Sequence, residues 1–205
     1  MESGTVVLVD DEPGMLRALT RLLQAEGFAV RSFGSAEAFL EAPRMTGAWC
    51  LILDIAMSGM SGLELQSRLH SEGIRAPVVF LTGHGDIPMS VRAIKSGAVD
   101  FLTKPVHDED LLGAVRAALE QAGRLAAAEE QERGLRTRLK RLTPREYEVM
   151  QHVITGLLNK QIAQKLGTSE QTIKVHRMRL MEKLGLTSVV ELVHAAARLG
   201  VPGAA

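Results

Sequence analysis

Near its start the chain reads Thr5-Val6-Val7-Leu8-Val9-Asp10-Asp11, an apolar strand-like run that ends abruptly in two carboxylates. Similar runs rich in Val, Ile, Leu and Phe follow at 28–33, 49–53, 77–82 and 99–103. Amphipathic segments typical of helices lie between these runs, at 13–25, 35–42, 62–72 and 86–96. Because apolar strands alternate with helices through short connections, the pattern predicts an α/β fold with a doubly wound, five-stranded parallel sheet.

The composition limits the class of protein. The chain has 205 residues, with 24 Lys and Arg against 24 Asp and Glu, and one cysteine, Cys50. A single cysteine excludes an internal disulfide and a cysteine-rich zinc site, and the apolar runs are too short to cross a bilayer. The first residues also lack the basic-then-apolar pattern of a signal peptide. We therefore expect a cytoplasmic protein that does not bind membranes.

The balanced charge conceals an uneven distribution along the chain. Residues 1–120 carry 10 basic and 16 acidic side chains, whereas residues 121–205 carry 14 and 8. Such a division indicates two domains with different partners. The acidic part suits a metal cation and the basic part suits nucleic acid.

Polar side chains follow the predicted strands at the ends where open parallel sheets bind ligands. In chain order, four strands are followed by Asp10-Asp11, Asp54, Thr82 and Lys104. Neighbouring carboxylates repel one another, and a hard cation such as Mg²⁺ relieves that repulsion. A carboxylate can also accept a phosphoryl group, which a lysine and a hydroxyl then stabilise. Asp54 is the best acceptor candidate because it stands alone at the end of the middle strand.

Four motifs, covering about residues 4–122, resemble the receiver domain of two-component response regulators of the FixJ type. They are Val9-Asp10-Asp11-Glu12, Leu53-Asp54-Ile55-Ala56-Met57, Leu81-Thr82-Gly83-His84-Gly85-Asp86 and Phe101-Leu102-Thr103-Lys104-Pro105. The resemblance implies a flavodoxin-like fold in which Asp54 accepts phosphate from the histidine of a sensor kinase. The implied Mg²⁺ ligands are Asp10, Asp11, Asp54 and the backbone carbonyl of Ala56. The implied switch residues are Thr82, Lys104 ahead of a cis Pro105, and the aromatic Phe101.

Three positions depart from the family pattern. The switch aromatic is Phe101, which lacks the hydroxyl with which a tyrosine would form a hydrogen bond. Ser58 stands where many members have proline, which predicts a loosened loop after the acceptor. Ala56 has no side chain that could position a hydrolytic water, whereas His84 is a candidate for that role. We therefore expect an aspartyl phosphate that lasts minutes or longer, and no enzymatic activity beyond self-phosphorylation and slow autodephosphorylation.

A helical pattern starts near Asp108 and continues to about Arg141. Its apolar residues follow the a/d spacing of a coiled coil at Leu112, Val115, Leu119, Ala122 and Ala126. The segment is either a contact between two copies or a solvated spacer. We expect a receiver domain over 1–122, a helical linker over 123–141 and an output domain over 142–205.

The output domain reads as four short helices. Thr143-Pro144-Arg145-Glu146 fits a capping box at the start of a helix that ends near Gly156. Asn159 and Ser169 predict the N-caps of the next two helices, and the fourth covers about 188–198. Short helices joined by glycine turns are typical of a helix-turn-helix module.

The third helix of this domain has a core face and a mixed face. A rotation of about 100° per residue places Ile173, Leu180 and Leu184 on the core side, with Lys174, Val175, Met178, Arg179 and Glu182 outside. Cations interleaved with apolar side chains suit base edges and thymine methyl groups in the major groove. A small protein-binding module is the alternative that charge alone leaves open.

This tail resembles the LuxR-type helix-turn-helix over about 60 residues. The matching stretches are Leu142-Thr143-Pro144-Arg145-Glu146, Gly156-Leu157-Leu158-Asn159-Lys160-Gln161-Ile162-Ala163 and Ser169 through His176. The resemblance implies DNA contacts from Lys174, Val175 and Met178. The full set of candidate DNA-binding residues is Lys160, Ser169, Thr172, Lys174, Val175, Arg177, Met178 and Arg179.

These features predict a phosphorylation-dependent transcriptional regulator. A sensor histidine kinase would phosphorylate Asp54, which promotes a homodimer that binds paired half-sites on double-stranded DNA and recruits RNA polymerase. One alternative is a phosphate-independent regulator whose receiver is a constitutive dimerisation module. The other is a Mg²⁺-dependent aspartyl phosphohydrolase, against which Ala56 counts because such enzymes usually carry a second acid at that position.

Overall fold

The computed structural model of the chain describes residues 4–83 and 97–204. The chain divides into two compact units, residues 1–127 and 128–205. The predicted helix at 86–96 and the candidate residue His84 lie outside the described residues.

A five-stranded parallel sheet forms the centre of the first unit. The strands are β1 (Thr5–Val9), β2 (Ala29–Phe33), β3 (Trp49–Asp54), β4 (Val78–Thr82) and β5 (Asp100–Thr103). Their order in the sheet is β2-β1-β3-β4-β5. The predicted fold class is confirmed, and the predicted strand ends differ by at most one residue. This order places the carboxyl ends of β1, β3, β4 and β5 side by side.

Four described helices accompany the sheet in chain order. They are α1 (Pro13–Ala25), α2 (Ala36–Glu41), α3 (Gly62–Ser71) and α4 (Asp108–Leu139). Alternate residues of the central strands point to opposite faces, so the sheet is covered by one apolar layer on each side. Leu8 and Ile52 pack into the layer that contains α1 and the start of α4. Val9 and Leu53 pack into the layer that contains α2 and α3.

The apolar stripe at the start of α4 belongs to the core of the first unit. Leu112, Val115 and Leu119 pack in the same layer as Leu8 and Ile52. A core-facing helix uses nearly the same spacing as a coiled coil, because both present residues three and four apart on one face. The coiled-coil interpretation of these three positions is therefore wrong. The helix itself continues unbroken to Leu139.

The second unit contains four short helices around one apolar cluster. They are α5 (Pro144–Val153), α6 (Asn159–Lys165), α7 (Glu170–Leu184) and α8 (Val189–Leu199). The predicted N-caps Thr143 and Ser169 are confirmed, since each side chain accepts a hydrogen bond from a backbone N–H in the first turn. The prediction that Asn159 caps α6 is wrong, because Leu158 occupies the N-cap position.

Glu146 joins two helices of the second unit. Its carboxylate completes the predicted capping box by accepting the backbone N–H of Thr143 at 2.8 Å. The same oxygen, Oε2, accepts a hydrogen bond from Lys183 Nζ at 2.6 Å, which links the start of α5 to the end of α7. None of the described helices is both long enough and apolar enough to span a membrane.

Candidate functional site

The sheet brings four predicted residues to one edge. Asp10 follows β1, Asp54 ends β3, Thr82 ends β4 and Lys104 follows β5. Asp10, Asp54 and Thr82 are almost completely buried, with 2%, 4% and 3% of their surface exposed. The peptide bond between Lys104 and Pro105 is cis, as the resemblance implies. The rule that carboxyl ends of parallel strands meet at one edge thus locates this group correctly.

Lys104 bridges the acidic side chains of this edge. Its ammonium donates to Asp10 Oδ2 at 2.8 Å, to Asp54 Oδ2 at 3.1 Å and to Glu12 Oε1 at 3.3 Å. Burial raises the pKa of Asp10, although Lys104 and the N–H of Glu12 oppose that rise. Burial alone would lower the pKa of Lys104, but the hydrogen bonds to Asp10 and Asp54 raise it instead. Lys104 therefore carries a stable positive charge among the carboxylates.

Three carboxylates of this edge are close enough to share a cation. Oxygen atoms of Asp10, Glu12 and Asp54 lie within 4.8 Å of one another. Carboxylate oxygens are the ligands that Mg²⁺ prefers, so the residues present fit that ion. Glu12 was not among the predicted ligands. It lies two residues after Asp10, beyond a bend at Asp11, and no motif of the sequence singles it out as a ligand.

Asp11, a predicted metal ligand, is not part of that group of carboxylates. Its Oδ2 atom accepts hydrogen bonds from the backbone N–H of Ser58 at 2.8 Å and from Ser58 Oγ at 2.6 Å. These two bonds lower the pKa of Asp11. In the same loop the N–H of Met60 donates to Glu37 Oε1 at 3.1 Å. The loop that lacks the usual proline is therefore held by hydrogen bonds to two carboxylates.

The other predicted receiver residues lie close to Asp54 in the sheet or in sequence. Leu81 pairs with Asp54 in the register of β3 and β4, so Thr82 is the next residue along β4. The N–H of Ala56 donates to Asp54 Oδ1 at 3.3 Å. Phe101 is half-buried on β5, in register with Phe80 of β4.

The exposed face of α7 matches the predicted arrangement of the third output helix. Ile173, Leu180 and Leu184 are buried, which confirms the predicted core face. Met178 is 62% exposed, an unusual position for a large apolar side chain. Lys174 is exposed and forms an ion pair with Glu170 at 3.4 Å.

The remaining candidates flank this face. Arg179 and Lys160 are exposed, and Val175 is partly exposed. Ser169 caps α7 by accepting the N–H of Thr172 at 3.1 Å, and the two hydroxyl groups lie 2.8 Å apart.

Arg177 differs from the other candidates because its side chain is bonded to a neighbouring helix. It is partly buried and donates from Nη1 to Asn159 Oδ1 at 2.8 Å. This bond joins α7 to the first residue of α6. The side-chain oxygen of Asn159 is therefore engaged with Arg177, while Leu158 occupies the N-cap position.

Two family models match the chain in the order of its two units. Residues 6–116 match the response regulator receiver domain, and residues 140–196 match the bacterial regulatory proteins of the luxR family. The chain therefore belongs to the response regulators that combine a receiver domain with a LuxR-type DNA-binding domain, and it is a transcriptional regulator. This architecture implies a histidine kinase and DNA as partners in general.

Individual relatives place the chain among response regulators of the FixJ and TodT type. The response regulator protein TmoT of Ectopseudomonas mendocina is 44% identical over 198 residues, which cover 97% of this chain and 90% of TmoT. The transcriptional regulatory protein FixJ of Bradyrhizobium diazoefficiens is 39% identical over 198 residues, 97% of each chain. The solved structure of the response regulator StyR is 44% identical, with a TM-score of 0.80 and coverage of 96% of this chain and 99% of StyR.

Proposed function

We propose that Asp54 accepts a phosphoryl group from a sensor histidine kinase in the cytoplasm, with Mg²⁺ as cofactor. Phosphorylation favours a homodimer whose output units bind paired half-sites on double-stranded DNA and engage RNA polymerase. The proposal depends above all on the Asp54 carboxylate, which is buried at the end of β3 with Oδ2 3.1 Å from the Lys104 ammonium.

Asp54 has the surroundings that a phosphoryl acceptor needs. One of its carboxylate oxygens attacks the phosphorus of the kinase phosphohistidine, the P–N bond breaks, and the imidazole leaves and takes up a proton. Lys104 then offsets the negative charge on the phosphoryl oxygens. The buried hydroxyl of Thr82, at the end of the neighbouring strand, supplies a hydrogen-bond donor to the same group.

The charge balance of the edge supports a divalent cofactor. When all three are ionised, the carboxylates of Asp10, Glu12 and Asp54 face one ammonium, which leaves two negative charges. Bound Mg²⁺ would supply the compensating charge and neutralise oxygens of the transferred group. Asp10, Asp11, Asp54 and the Ala56 carbonyl are the proposed ligands, and Glu12 joins them as a candidate because of its position.

Thr82 and Phe101 are the residues proposed to carry the signal away from Asp54. Any such switch requires that the phosphoryl group interacts better with the active arrangement than with the inactive one. Thr82 gains a new acceptor when Asp54 is phosphorylated and moves toward it. Phe101 is only partly buried, so its ring can turn inward when Thr82 moves.

The proposed DNA-reading surface is the exposed face of α7. Val175 and Met178 suit thymine methyl groups, and Lys174 suits guanine acceptors in the major groove. Lys174 exchanges its exposed ion pair with Glu170 for DNA, and such a surface pair contributes little. Lys160, Arg177 and Arg179 act through the DNA backbone. The hydroxyls of Ser169 and Thr172 lie in the first turn of α7, where the helix dipole favours phosphate.

Sedimentation velocity tests the proposal directly. Wild type, Asp54→Asn and the exposed control Asp108→Asn are measured with and without Mg²⁺ plus beryllium fluoride, a phosphoryl mimic. We expect wild type and Asp108→Asn to shift from monomer to dimer on treatment, and Asp54→Asn to stay monomeric. DNA affinity, measured by fluorescence anisotropy under the same conditions, should rise in parallel. If neither the sedimenting mass nor the DNA affinity of wild type changes on treatment, the protein is instead a phosphate-independent regulator.

A further inference from the structure

Ser58, in the loop after β3, binds the Asp11 carboxylate with both of its hydrogen-bond donors. Ser58 donates its backbone N–H and its hydroxyl to the same oxygen, Asp11 Oδ2, at 2.8 and 2.6 Å. The two residues are 47 positions apart in the chain. A proline at position 58 would provide neither donor, because it has no N–H and no hydroxyl. This contact therefore depends on the residue that distinguishes the loop from the usual family pattern.

Two hydrogen bonds hold the chain just after Ser58. The N–H of Met60 donates to Glu37 Oε1 at 3.1 Å. The hydroxyl of Ser61 then donates to Glu64 Oε2 at 2.7 Å, and Ser61 caps α3. The chain after Ser58 is therefore anchored at Met60 and Ser61, and Ser58 itself is held by its two bonds to Asp11.

The contact separates Asp11 from the neighbouring carboxylates. Among the described residues, the acidic group whose oxygens lie within 4.8 Å of one another consists of Asp10, Glu12 and Asp54. Asp11 follows Asp10 directly, yet its carboxylate is engaged with Ser58. While Asp11 Oδ2 accepts both bonds from Ser58, that oxygen has no lone pair left for a cation, and the carboxylate stays tied to the loop rather than joining the other three.

We propose that Ser58 is a positioning residue that withholds Asp11 from the cation site and thereby weakens Mg²⁺ binding. The hydroxyl of Ser58 and the cation compete for the same carboxylate. The inference deepens the proposed function, since it rests on the proposed Mg²⁺ site, but it does not require that Asp54 is phosphorylated.

Calorimetric titration of Mg²⁺ into the full, unphosphorylated chain tests this competition. Ser58→Ala removes the hydroxyl and keeps the backbone N–H. We expect it to bind Mg²⁺ about threefold to tenfold more tightly, because it loses one hydrogen bond to a charged group at an exposed position. Ser58→Thr keeps the hydroxyl and should bind as wild type does. Ser67→Ala is the control: it removes another exposed serine hydroxyl, which donates to the Leu63 carbonyl within α3, without touching Asp11 or the loop, and should leave the affinity unchanged.

A double-mutant cycle shows whether the effect passes through Asp11. Asp11→Ala should weaken Mg²⁺ binding, and adding Ser58→Ala to it should produce no further gain. Equal or weaker binding by Ser58→Ala would overturn the inference, as would a gain that persists without Asp11. Wild type that binds no Mg²⁺ would reject the proposed cation site as well. If wild type binds Mg²⁺ and Ser58→Ala binds it with the same affinity, the role of Ser58 is rejected and the cation site is retained. Thermal unfolding by circular dichroism establishes that each variant is folded.

Discussion

Replacing Glu146 by glutamine should destabilise the second unit and leave the first unit unchanged. The Glu146 side chain is 4% exposed. Its Oε2 atom accepts hydrogen bonds from Lys183 Nζ at 2.6 Å and from the N–H of Thr143 at 2.8 Å. Glutamine keeps an oxygen for Thr143 but removes the charge that faces Lys183.

The expected magnitude follows from the burial of the two partners. Breaking a fully buried ion pair costs about 3–5 kcal/mol. The Lys183 side chain, however, is 34% exposed, so its ammonium can turn toward water. We therefore expect the free energy of unfolding to fall by about 1–2 kcal/mol. For a unit of this size, that corresponds to a decrease in Tm of about 4–16 °C.

The effect should depend on pH in a defined direction. Burial alone would raise the pKa of Glu146, but the hydrogen bonds from Lys183 and Thr143 lower it below its ordinary value of 4.5. A carboxyl group with a lowered pKa in the folded state contributes its full stabilisation above the ordinary pKa and loses it as the pH falls through the folded value. The difference between wild type and Glu146→Gln should therefore shrink as the pH falls below 4.5.

The two units can be followed separately in the intact chain. Far-ultraviolet circular dichroism reports the helices of the second unit together with the rest of the chain. Fluorescence of Trp49, the one tryptophan in the sequence, reports the first unit and should not change. Glu148→Gln is the control, because Glu148 lies on the same helix in a partly exposed pair with Arg145 and should contribute less than about 1 kcal/mol. If Glu146→Gln behaves like Glu148→Gln, or if its effect is the same above and below the ordinary carboxyl pKa, the reasoning is wrong.

Three further substitutions test other parts of the structure. Gly62→Ala would place its Cβ against the carbonyl oxygen of Asp54. The free energy of unfolding of the first unit should therefore fall by about 2 kcal/mol or more, measured by urea unfolding with tryptophan fluorescence. An unchanged urea midpoint would contradict that close approach. Met178→Glu should weaken DNA binding at least about tenfold in anisotropy titrations at fixed salt, because a carboxylate would face the acceptors and phosphates of the groove. Unchanged affinity would show that this face of α7 does not contact DNA. Arg138→Ala should destabilise the second unit by about 1 kcal/mol in thermal unfolding. The reason is that Arg138 Nη1 donates a 2.7 Å hydrogen bond to the carbonyl of Leu184, at the end of α7. No change in stability would mean that water replaces this donor fully.

The sequence predicts well what depends on local pattern and on the rules of parallel sheets. Apolar runs of five or six residues locate β1, β3 and β4, and each of these runs ends where the chain becomes polar. Once the strands are known to be parallel, Asp10, Asp54 and Lys104 must come to one edge, although they are far apart in the chain. In the second unit, the hydroxyls of Thr143 and Ser169 identify two helix starts, because capping involves only residues three apart.

The sequence does not predict individual side-chain contacts between distant residues where no rule of sheet topology brings them together. The partner of Asp11 is Ser58, 47 residues away, and that of Arg177 is Asn159, 18 residues away. A helical wheel assigns Arg177 to a face of α7 but contains no information about the helix packed beside it. The same limit applies to α4, where Leu112 has the spacing of both a coiled coil and a core-facing helix, and only the packed sheet distinguishes the two.

Lys104 and Lys183 both bind buried carboxylates, but they differ in how many partners they have. Lys104 donates to three acceptors between 2.8 and 3.3 Å, one of them the 62% exposed side chain of Glu12. An anion that arrives at Asp54 can replace one of these acceptors while Lys104 keeps the others, so the exchange leaves no buried charge without a partner. Lys183 instead has Glu146, whose Oε2 is also committed to the cap of α5. If Lys183 turned toward water, the buried Glu146 carboxylate would lose the cation that faces it. Disturbing this pair should therefore lower the stability of the second unit, whereas disturbing Lys104 should alter the response of the first unit to the proposed phosphorylation of Asp54.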